Sequence, residues 1–283
     1  MSELEFPHPD VRVDGLVRLG EGRAAEVFRW GDGAAVKLMR RPDSRRFVIV
    51  EAAAMQAAEA TGIPMAKFIG TIEIDRRPGI VIQLADGPDQ LTLLGRKPWK
   101  VWSVGCALGR LHAQLHSSPV GVELRSLKDA VSASIEASAL VPEDVRSIAL
   151  AALERLPDGD FVCHGDFHPG NVIETSDGPK VIDWANAVRG DRLADVARTT
   201  ILFSGKDVGA NPPLLLRLMN RLGRAVVWSG YSRTYRRLRP YGQAAVDAWI
   251  PVIAAQRLTD DIPGEREHLL RLVRDHGGEG AQS

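Results

Sequence analysis

The stretch HGDFHPGN at residues 164–171 and the stretch VIDW at residues 181–184 carry the densest set of His, Asp and Asn side chains in the sequence. We predict two short strands here, Phe161 to Ile173 and Lys180 to Asp183, joined by a polar turn. Such a hairpin presents one carboxylate, then an amide five residues later, then a second carboxylate at the end of the next strand.

The three polar groups of this hairpin, Asp166, Asn171 and Asp183, suit one kind of chemistry. One carboxylate is free to accept a proton, and the other two groups are hard oxygen ligands that Mg²⁺ binds together with phosphates and water. The set indicates phosphoryl transfer, in which positioning and charge neutralisation do most of the work. Taken alone, His-x-Asp in a loop is about as typical of an Asx-turn beside a hydrogen-bonded histidine.

A second group of residues near the N-terminus is of the type that a phosphate-handling site needs. The segment at residues 19–27, LGEGRAAEV, lies between two predicted strands, and Lys37 lies in the middle of a third. Because a lysine inside an apolar strand is unfavourable unless paired, Glu51 on the following predicted helix is its natural partner. Separately, Gly20 and Gly22 also suit a plain hairpin turn and Lys37 a snorkelling edge position. Their occurrence together, in this order, favours a nucleotide site.

Hydrophobic patterning divides the chain into a strand-rich first part and a helical second part. Before a break at residues 86–89 we predict one helix, Arg45 to Ala60, and strands at 11–19, 26–30, 34–39, 67–74 and 79–84. After the break we predict helices at 99–117, 126–139 and 142–156, and from 193 to about 274 with interruptions near Asn211, Pro240 and Pro263.

The sequence resembles the aminoglycoside phosphotransferase family, the small-molecule branch of the protein-kinase-like fold. The likeness rests on residues 164–171, on the IDW of residues 182–184 and on GDRLADVA at residues 190–197. It implies a bilobal α+β fold. An N-terminal antiparallel β lobe with one main helix would occupy residues 1–86, and a larger, mostly helical C-terminal lobe would occupy residues 87–283.

The resemblance also implies roles for the polar residues. Asp166 would be the catalytic base that takes the proton of the acceptor hydroxyl. Asn171 and Asp183 would hold Mg²⁺. Lys37 would bind the α- and β-phosphates of ATP and would be oriented by Glu51.

Two backbone segments complete the implied nucleotide site. The loop containing Gly20 and Gly22 would cover the phosphates. Gln83, Leu84 and Ala85 would form the hinge whose backbone meets the adenine ring.

The chain departs from protein kinases at several points. Ala25 stands where those enzymes have a third glycine, and Asp183 is followed by Trp184 and Ala185 rather than Phe-Gly. No Ala-Pro-Glu activation segment follows, so a small-molecule acceptor is expected rather than a protein. Asp195 is expected to be structural, capping its helix and bracing the catalytic loop.

Other polar residues suggest alternatives that we weigh as weaker. His112 and His116 have the spacing of a zinc pair, but no third ligand is apparent in the sequence. The arginines of residues 233–239, interleaved with tyrosines, are more typical of a solvated helix face than of a nucleic-acid surface. Cys163, next to the catalytic loop, is expected to be a buried small hydrophobe.

Composition bounds the rest. The 283 residues contain 36 Lys and Arg and 36 Asp and Glu, which excludes a protein whose whole surface binds nucleic acid. Two cysteines and the lack of a leader or a long apolar segment favour a cytoplasmic protein without a membrane partner. We expect a small-molecule partner, no nucleic acid, and a monomer or homodimer.

The charges are unevenly spread. Residues 196–257 hold ten Lys and Arg against two Asp and Glu, whereas residues 120–177 hold four against eleven. The acidic stretch could bind the ammonium groups of an aminoglycoside or amino sugar through Glu136, Glu143, Asp144, Asp158 and Asp160. The arginine-rich stretch leaves other acceptors open, such as choline, homoserine, methylthioribose or a nucleoside. A nucleotide-binding pseudokinase is the remaining alternative, disfavoured because every expected catalytic residue is present.

Overall fold

The computed structural model describes residues 4–120, 124–204 and 214–277. Its first part is a five-stranded antiparallel sheet in the order β1-β2-β3-β5-β4. The strands are β1 (Arg18–Glu21), β2 (Ala25–Trp30), β3 (Ala34–Met39), β4 (Phe68–Ile74) and β5 (Arg77–Gln83).

One long helix, α1 (Arg45–Ala60), packs on this sheet through its buried Val48, Ala52 and Met55. It has the bounds that the sequence predicts and stops at Gly62, whose φ of 73° is a left-handed value that glycine adopts without strain. The predicted antiparallel lobe with one main helix is confirmed. The strand predicted at residues 11–19 is mostly wrong, because a 3₁₀ turn occupies Val13–Gly15 and β1 begins only at Arg18.

The rest of the described chain is mainly helical, as predicted. The longer helices are α3 (Val101–Leu115), α4 (Leu127–Ala137), α5 (Glu143–Arg155), α6 (Arg192–Ser204), α7 (Leu214–Leu238), α9 (Ile250–Leu258) and α10 (Arg266–Gly277), and the shorter ones are α2 (Gln90–Arg96) and α8 (Gln243–Asp247). The interruptions near Pro240 and Pro263 are confirmed, whereas the one near Asn211 lies outside the described residues.

Two small antiparallel strand pairs interrupt the helices and hold the segment of Asp166, Asn171 and Asp183. They are β6 (Phe161–Cys163) with β9 (Val188–Gly190), and β7 (Val172–Thr175) with β8 (Gly178–Val181). The backbone of β8 bonds to the segment after α1, since Val181 N–H donates to Pro64 O at 2.9 Å. This link fixes the hairpin against the first lobe. The boundary predicted between residues 86 and 87 lies between β5 and α2 and stays a prediction.

Close packing of α3 on α7 builds the wall behind the hairpin. A Cβ atom at Gly105 would lie 2.2 Å from the carbonyl oxygen of Val227, so only glycine permits this approach. The contact buries His112 and Tyr231 completely. No helix within the described residues is both long enough and apolar enough to cross a bilayer.

Candidate active site

The loop between β6 and β7 holds Asp166 and Asn171 in contact with each other. Asn171 Nδ2 donates to the backbone oxygen of Asp166 at 2.9 Å and to its Oδ2 at 3.3 Å. Within the described residues no group donates to the amide oxygen of Asn171, so this oxygen is left for another ligand.

His164 ties this loop to the strand that carries Asp183. Its Nε2 donates to Ile182 O at 3.1 Å, and its Nδ1 accepts from the backbone N–H of Asp166 at 3.3 Å. The ring is fully buried, and burial lowers the pKa of His164, so the ring is neutral. A neutral ring with one donor and one acceptor matches both partners.

Asp195 braces the same loop from α6. Its carboxylate accepts hydrogen bonds from the backbone N–H groups of His164 and Gly165, the second at 2.9 Å, and from His112 Nε2 at 3.0 Å. Burial raises the pKa of Asp195, but His112 and His116 lower it more strongly, and the pKa lies well below its ordinary value. The structural role that the sequence suggests for Asp195 agrees with these contacts.

His112, His116 and Asp195 are close enough together to be considered as a metal site. Their contacts are those of a hydrogen-bond network instead. The Nδ1 atoms of His112 and His116 bond to the hydroxyl groups of Tyr231 and Tyr235, both at 2.8 Å. Burial, followed by the neighbouring His112, lowers the pKa of His116 to about 4.

Lys37 on β3 joins the two lobes through ion pairs. Its Nζ lies 2.8 Å from Glu51 Oε1 on α1 and 2.7 Å from Asp183 Oδ1 after β8. Burial lowers the pKa of Lys37, but the two carboxylates outweigh burial and hold the pKa above its ordinary value. The structure thus brings together the predicted pair Lys37–Glu51 and places Asp183 on the same ammonium group.

Asp183 has an unusual backbone conformation. Its φ is 64°, in the left-handed region that non-glycine residues seldom occupy. Burial raises the pKa of Asp183, but Lys37 lowers it more strongly, so the group is ionised. The Asp183 carboxylate and the free amide oxygen of Asn171 are the hard oxygen ligands that suit a divalent cation carrying phosphates.

Asp166 is held as a carboxylate. His168 Nδ1 accepts from the Gly170 N–H at 3.0 Å, so its Nε2 carries the proton and faces Asp166 Oδ2 at 3.5 Å. Burial raises the pKa of Asp166, but His168 and then Arg198 lower it by more than burial raises it. The pKa of Asp166 is therefore well below its ordinary value.

The predicted nucleotide loop is a tight turn between β1 and β2. Gly22 N–H donates to Ala25 O at 2.8 Å, and Cβ atoms built on Gly20 and Gly22 would meet no atom closer than 3.8 Å. Arg23 at the tip donates to the backbone oxygen of Asp260 at 2.9 Å. The loop therefore reaches the second lobe.

The predicted hinge follows β5. The N–H groups of Gln83 and Leu84 already donate to Lys67 O and Gly33 O, both at 2.8 Å. Among the described residues, the Ala85 N–H has no such acceptor. Of the three hinge residues, Ala85 is thus the one with a backbone donor available to a base.

Residues 15–241 match the sequence model of the phosphotransferase enzyme family. The chain belongs to this family. No curated protein matches the sequence.

Solved structures share the fold of this chain at low identity. A thermostable mutant of aminoglycoside phosphotransferase APH(4)-Ia has a TM-score of 0.63 at 17% identity, over 95% of both chains. An aminoglycoside-3'-phosphotransferase of type VIII has a TM-score of 0.58 at 19% identity, over 85% of this chain and 93% of its own. Macrolide 2'-phosphotransferase MphH from Brachybacterium faecium has a TM-score of 0.53 at 17% identity, over 95% and 92%.

A pocket opens beside the loop that follows β6. It is bounded by α4, α6, α9, Gly165 and the loop at residues 185–188. Its charged lining residues are Arg125, Arg198, Asp195 and Asp260.

The acidic residues that the sequence suggests for ammonium binding are elsewhere. None of the five lines this pocket, and several already have cationic partners. Asp144 pairs with Arg274 at 2.9 Å, and Asp160 pairs with Arg189 at 2.7 Å.

Sequence reasoning does not single out Arg198, Asp260 or Arg23. Arg198 comes three residues after Asp195, which places it near the same helix face, and this spacing is the one signal that could have marked it. Asp260 and Arg23 carry no local signal, because their contact joins residues 237 positions apart.

Proposed function

We propose that this phosphotransferase transfers the γ-phosphate of ATP, in a Mg²⁺-dependent reaction, to a hydroxyl group of a small molecule. The observation that carries the proposal is the network formed by Glu51, Lys37 and Asp183, with Asp166 and Asn171 in contact next to it. The presence of all five groups disfavours a pseudokinase.

Lys37 and the cation ligands would act on the nucleotide. The paired ammonium group is fixed between Glu51 and Asp183, ready to donate to phosphate oxygens without reorganisation. A divalent cation held by Asn171 and Asp183 would neutralise charge on the transferred group. The turn at Gly20 and Gly22 would cover the phosphates with backbone N–H groups.

Asp166 would act on the acceptor. Because its pKa lies far below neutrality, it is a weak base, and its main effect is to orient the hydroxyl group by accepting its hydrogen bond. The hydroxyl proton would pass to the carboxylate as the new O–P bond forms and the bond from the γ-phosphorus to the departing ADP breaks, which fits the loose transition state of phosphoryl transfer.

The acceptor that the sequence favours is an aminoglycoside or amino sugar, and two of the solved relatives are named for aminoglycosides. The charged residues that line the pocket do not favour an acceptor with ammonium groups. Its two acidic lining residues already have partners, since Asp195 holds the catalytic loop and Asp260 pairs with Arg198 at 2.7 Å. Within the described residues, no unpaired carboxylate of this pocket is left for an ammonium group.

An acceptor screen tests the proposed function. Release of ADP is followed by a coupled assay over aminoglycosides, amino sugars, amino alcohols, nucleosides and sugar acids, and phosphorylated products are identified by mass spectrometry. Asp166→Asn should lower turnover by about 10²–10⁴-fold while leaving ATP binding intact. Asp177→Asn, in the exposed turn of the same hairpin, is the matched control and should behave as wild type. Equal turnover by Asp166→Asn and wild type would contradict the assignment.

A further inference from the structure

We infer that Arg198 binds an anionic group of the acceptor, a carboxylate or a phosphate, in the pocket beside the catalytic loop. The inference rests on the proposed phosphotransferase function of the same site. It assigns the acceptor to hydroxylated acids, such as hydroxy acids, sugar acids or sugar phosphates.

Arg198 is a buried cation whose hydrogen-bonding capacity is largely unused. The residue is 7% exposed, and its Nη2 donates to Asp260 Oδ2 at 2.7 Å. Its Nε and Nη1 are buried and have no partner among the described residues. Buried guanidinium donors without acceptors are unfavourable, and each such group in a native structure calls for an explanation. Arg198 lines the pocket, and an anion that enters there and displaces the packing around the guanidinium group would supply the missing acceptors.

The position of Arg198 on α6 places it next to the reacting groups. Asp195, one turn earlier, bonds to Gly165 N–H at 2.9 Å, and Thr199 Oγ1 donates to Phe167 O at 3.2 Å. Because residues three and four apart share a helix face, Arg198 lies on the face of α6 that supports the catalytic loop. Asp166 lies between the two supported residues, and Arg198 is near enough to lower its pKa. Under this inference, an acceptor held at Arg198 presents its hydroxyl group to Asp166 from the side of Gly165, which lines the pocket.

The partners of Asp260 show why an anion is preferred to a cation here. Its carboxylate accepts from Arg198 at 2.7 Å and from Arg257 at 3.4 Å. Arg257 is already satisfied by Glu265, through two hydrogen bonds of 2.8 and 3.0 Å. Of these two arginines, Arg198 alone lines the pocket, and in the described part of the chain it alone has buried nitrogen atoms without any partner. An acceptor ammonium group would instead compete with two arginines for one carboxylate.

Matched polyols test the inference without turnover. Gluconate, glucitol and glucamine share one hydroxylated chain and end in a carboxylate, a hydroxymethyl and an aminomethyl group. Their binding is measured by the change in thermal unfolding midpoint and by calorimetric titration. Gluconate should bind saturably to the wild type, and glucitol and glucamine at least about tenfold more weakly. In a second arm of the experiment, the binding of glucose 6-phosphate is compared with that of glucose. This comparison distinguishes a preference for phosphate from a preference for carboxylate.

The variants assign the binding to Arg198. Arg198→Gln should abolish the preference for the anion in both arms. Arg198→Lys keeps the charge beside Asp260 but loses the guanidinium donors, so it should bind the anion at least about tenfold more weakly while remaining folded. Arg274→Gln, which removes an exposed arginine paired with Asp144, is the control and should bind as the wild type does.

Three binding results would each overturn the inference: no saturable anion binding to the wild type, unchanged anion preference in both Arg198 variants, or tighter binding of glucamine than of gluconate. The variant Asp166→Asn tests the inference separately from the proposed function, because this variant should keep anion binding and lose phosphotransfer. Anion binding without phosphotransfer to any acceptor would refute the proposed function and would reduce the inference to an anion site at Arg198. Phosphotransfer that depends on Asp166 but not on Arg198 would refute the inference alone.

Discussion

Lys37 and Arg198 are two cations near the catalytic loop that differ in how completely they are paired. Lys37 lies between two carboxylates, at 2.8 and 2.7 Å. Arg198 has one carboxylate at 2.7 Å and two buried nitrogen atoms without partners in the described chain. A fully paired cation is held in place before any ligand arrives, whereas an under-paired one gains acceptors only when a ligand binds. Under the two proposals, the contrast separates a preorganised nucleotide side from an acceptor side that the ligand itself completes.

The largest expected effect comes from removing the paired cation. Lys37→Met should lower kcat/KM for ATP by about 10²–10³-fold, because the phosphates lose a fixed donor. The variant also leaves the carboxylates of Glu51 and Asp183 close together without their shared cation. Steady-state kinetics at saturating acceptor measures the loss.

Lys67→Met is the matched control, since Lys67 forms an exposed ion pair with Glu59 at 3.0 Å. It should retain wild-type kinetics. If Lys37→Met kept wild-type kcat/KM, the paired cation would be structural and the contrast with Arg198 would lose its functional meaning.

A smaller effect, of opposite sign, is expected from removing the partner of Arg198. Asp260→Asn should tighten gluconate binding by roughly tenfold, because the anion no longer competes with a carboxylate for the guanidinium group. The same change should lower the thermal unfolding midpoint, since a buried cation loses its counter-charge. Calorimetric titration of the variant and the wild type compares the affinities. Weaker gluconate binding by a folded Asp260→Asn protein would show that Asp260 holds Arg198 in place for the ligand instead of competing with it.

The sequence predicts the nucleotide side far better than the acceptor side. Lys37 and Glu51 lie in strongly patterned elements, a compact apolar strand and an alanine-rich helix, so their pairing follows from their positions. Asp166, Asn171 and Asp183 are close in sequence and belong to one hairpin. Their approximate arrangement is therefore readable from spacing alone.

The acceptor side depends on packing between distant helices. Arg198 and Asp260 are 62 residues apart, on α6 and just after α9. Every residue from Ala194 to Thr199 is buried, so α6 has no polar face from which the burial of Arg198 could be read. The three-residue strand β9 and the seven-residue helix α2 are likewise too short for hydrophobic periodicity to predict.

The substitution expected to change turnover least at neutral pH is His116→Asn, behind the loop that carries Asp166. Its main effect is expected on stability at acidic pH. Burial lowers the pKa of His116 from 6.5 to about 4, so the folded chain holds this ring neutral. In the unfolded chain the ring takes up a proton near its ordinary pKa. The resulting stability is present in full above pH 6.5 and is lost as the pH falls towards 4, by about 3 kcal/mol.

His116→Asn should remove most of this pH dependence while its amide still faces the hydroxyl group of Tyr235, the partner of His116 Nδ1 at 2.8 Å. Urea unfolding at pH values between 4 and 7 measures the free energy of unfolding of both proteins. His276→Asn, at the end of α10, is the control, because the hydrogen bond that His276 forms in the described chain is within its own helix, to Leu272 O. If His116→Asn kept the wild-type slope, the acid-sensitive group would lie elsewhere. The histidines behind Asp195 would then hold the catalytic loop by packing rather than by their neutral charge state.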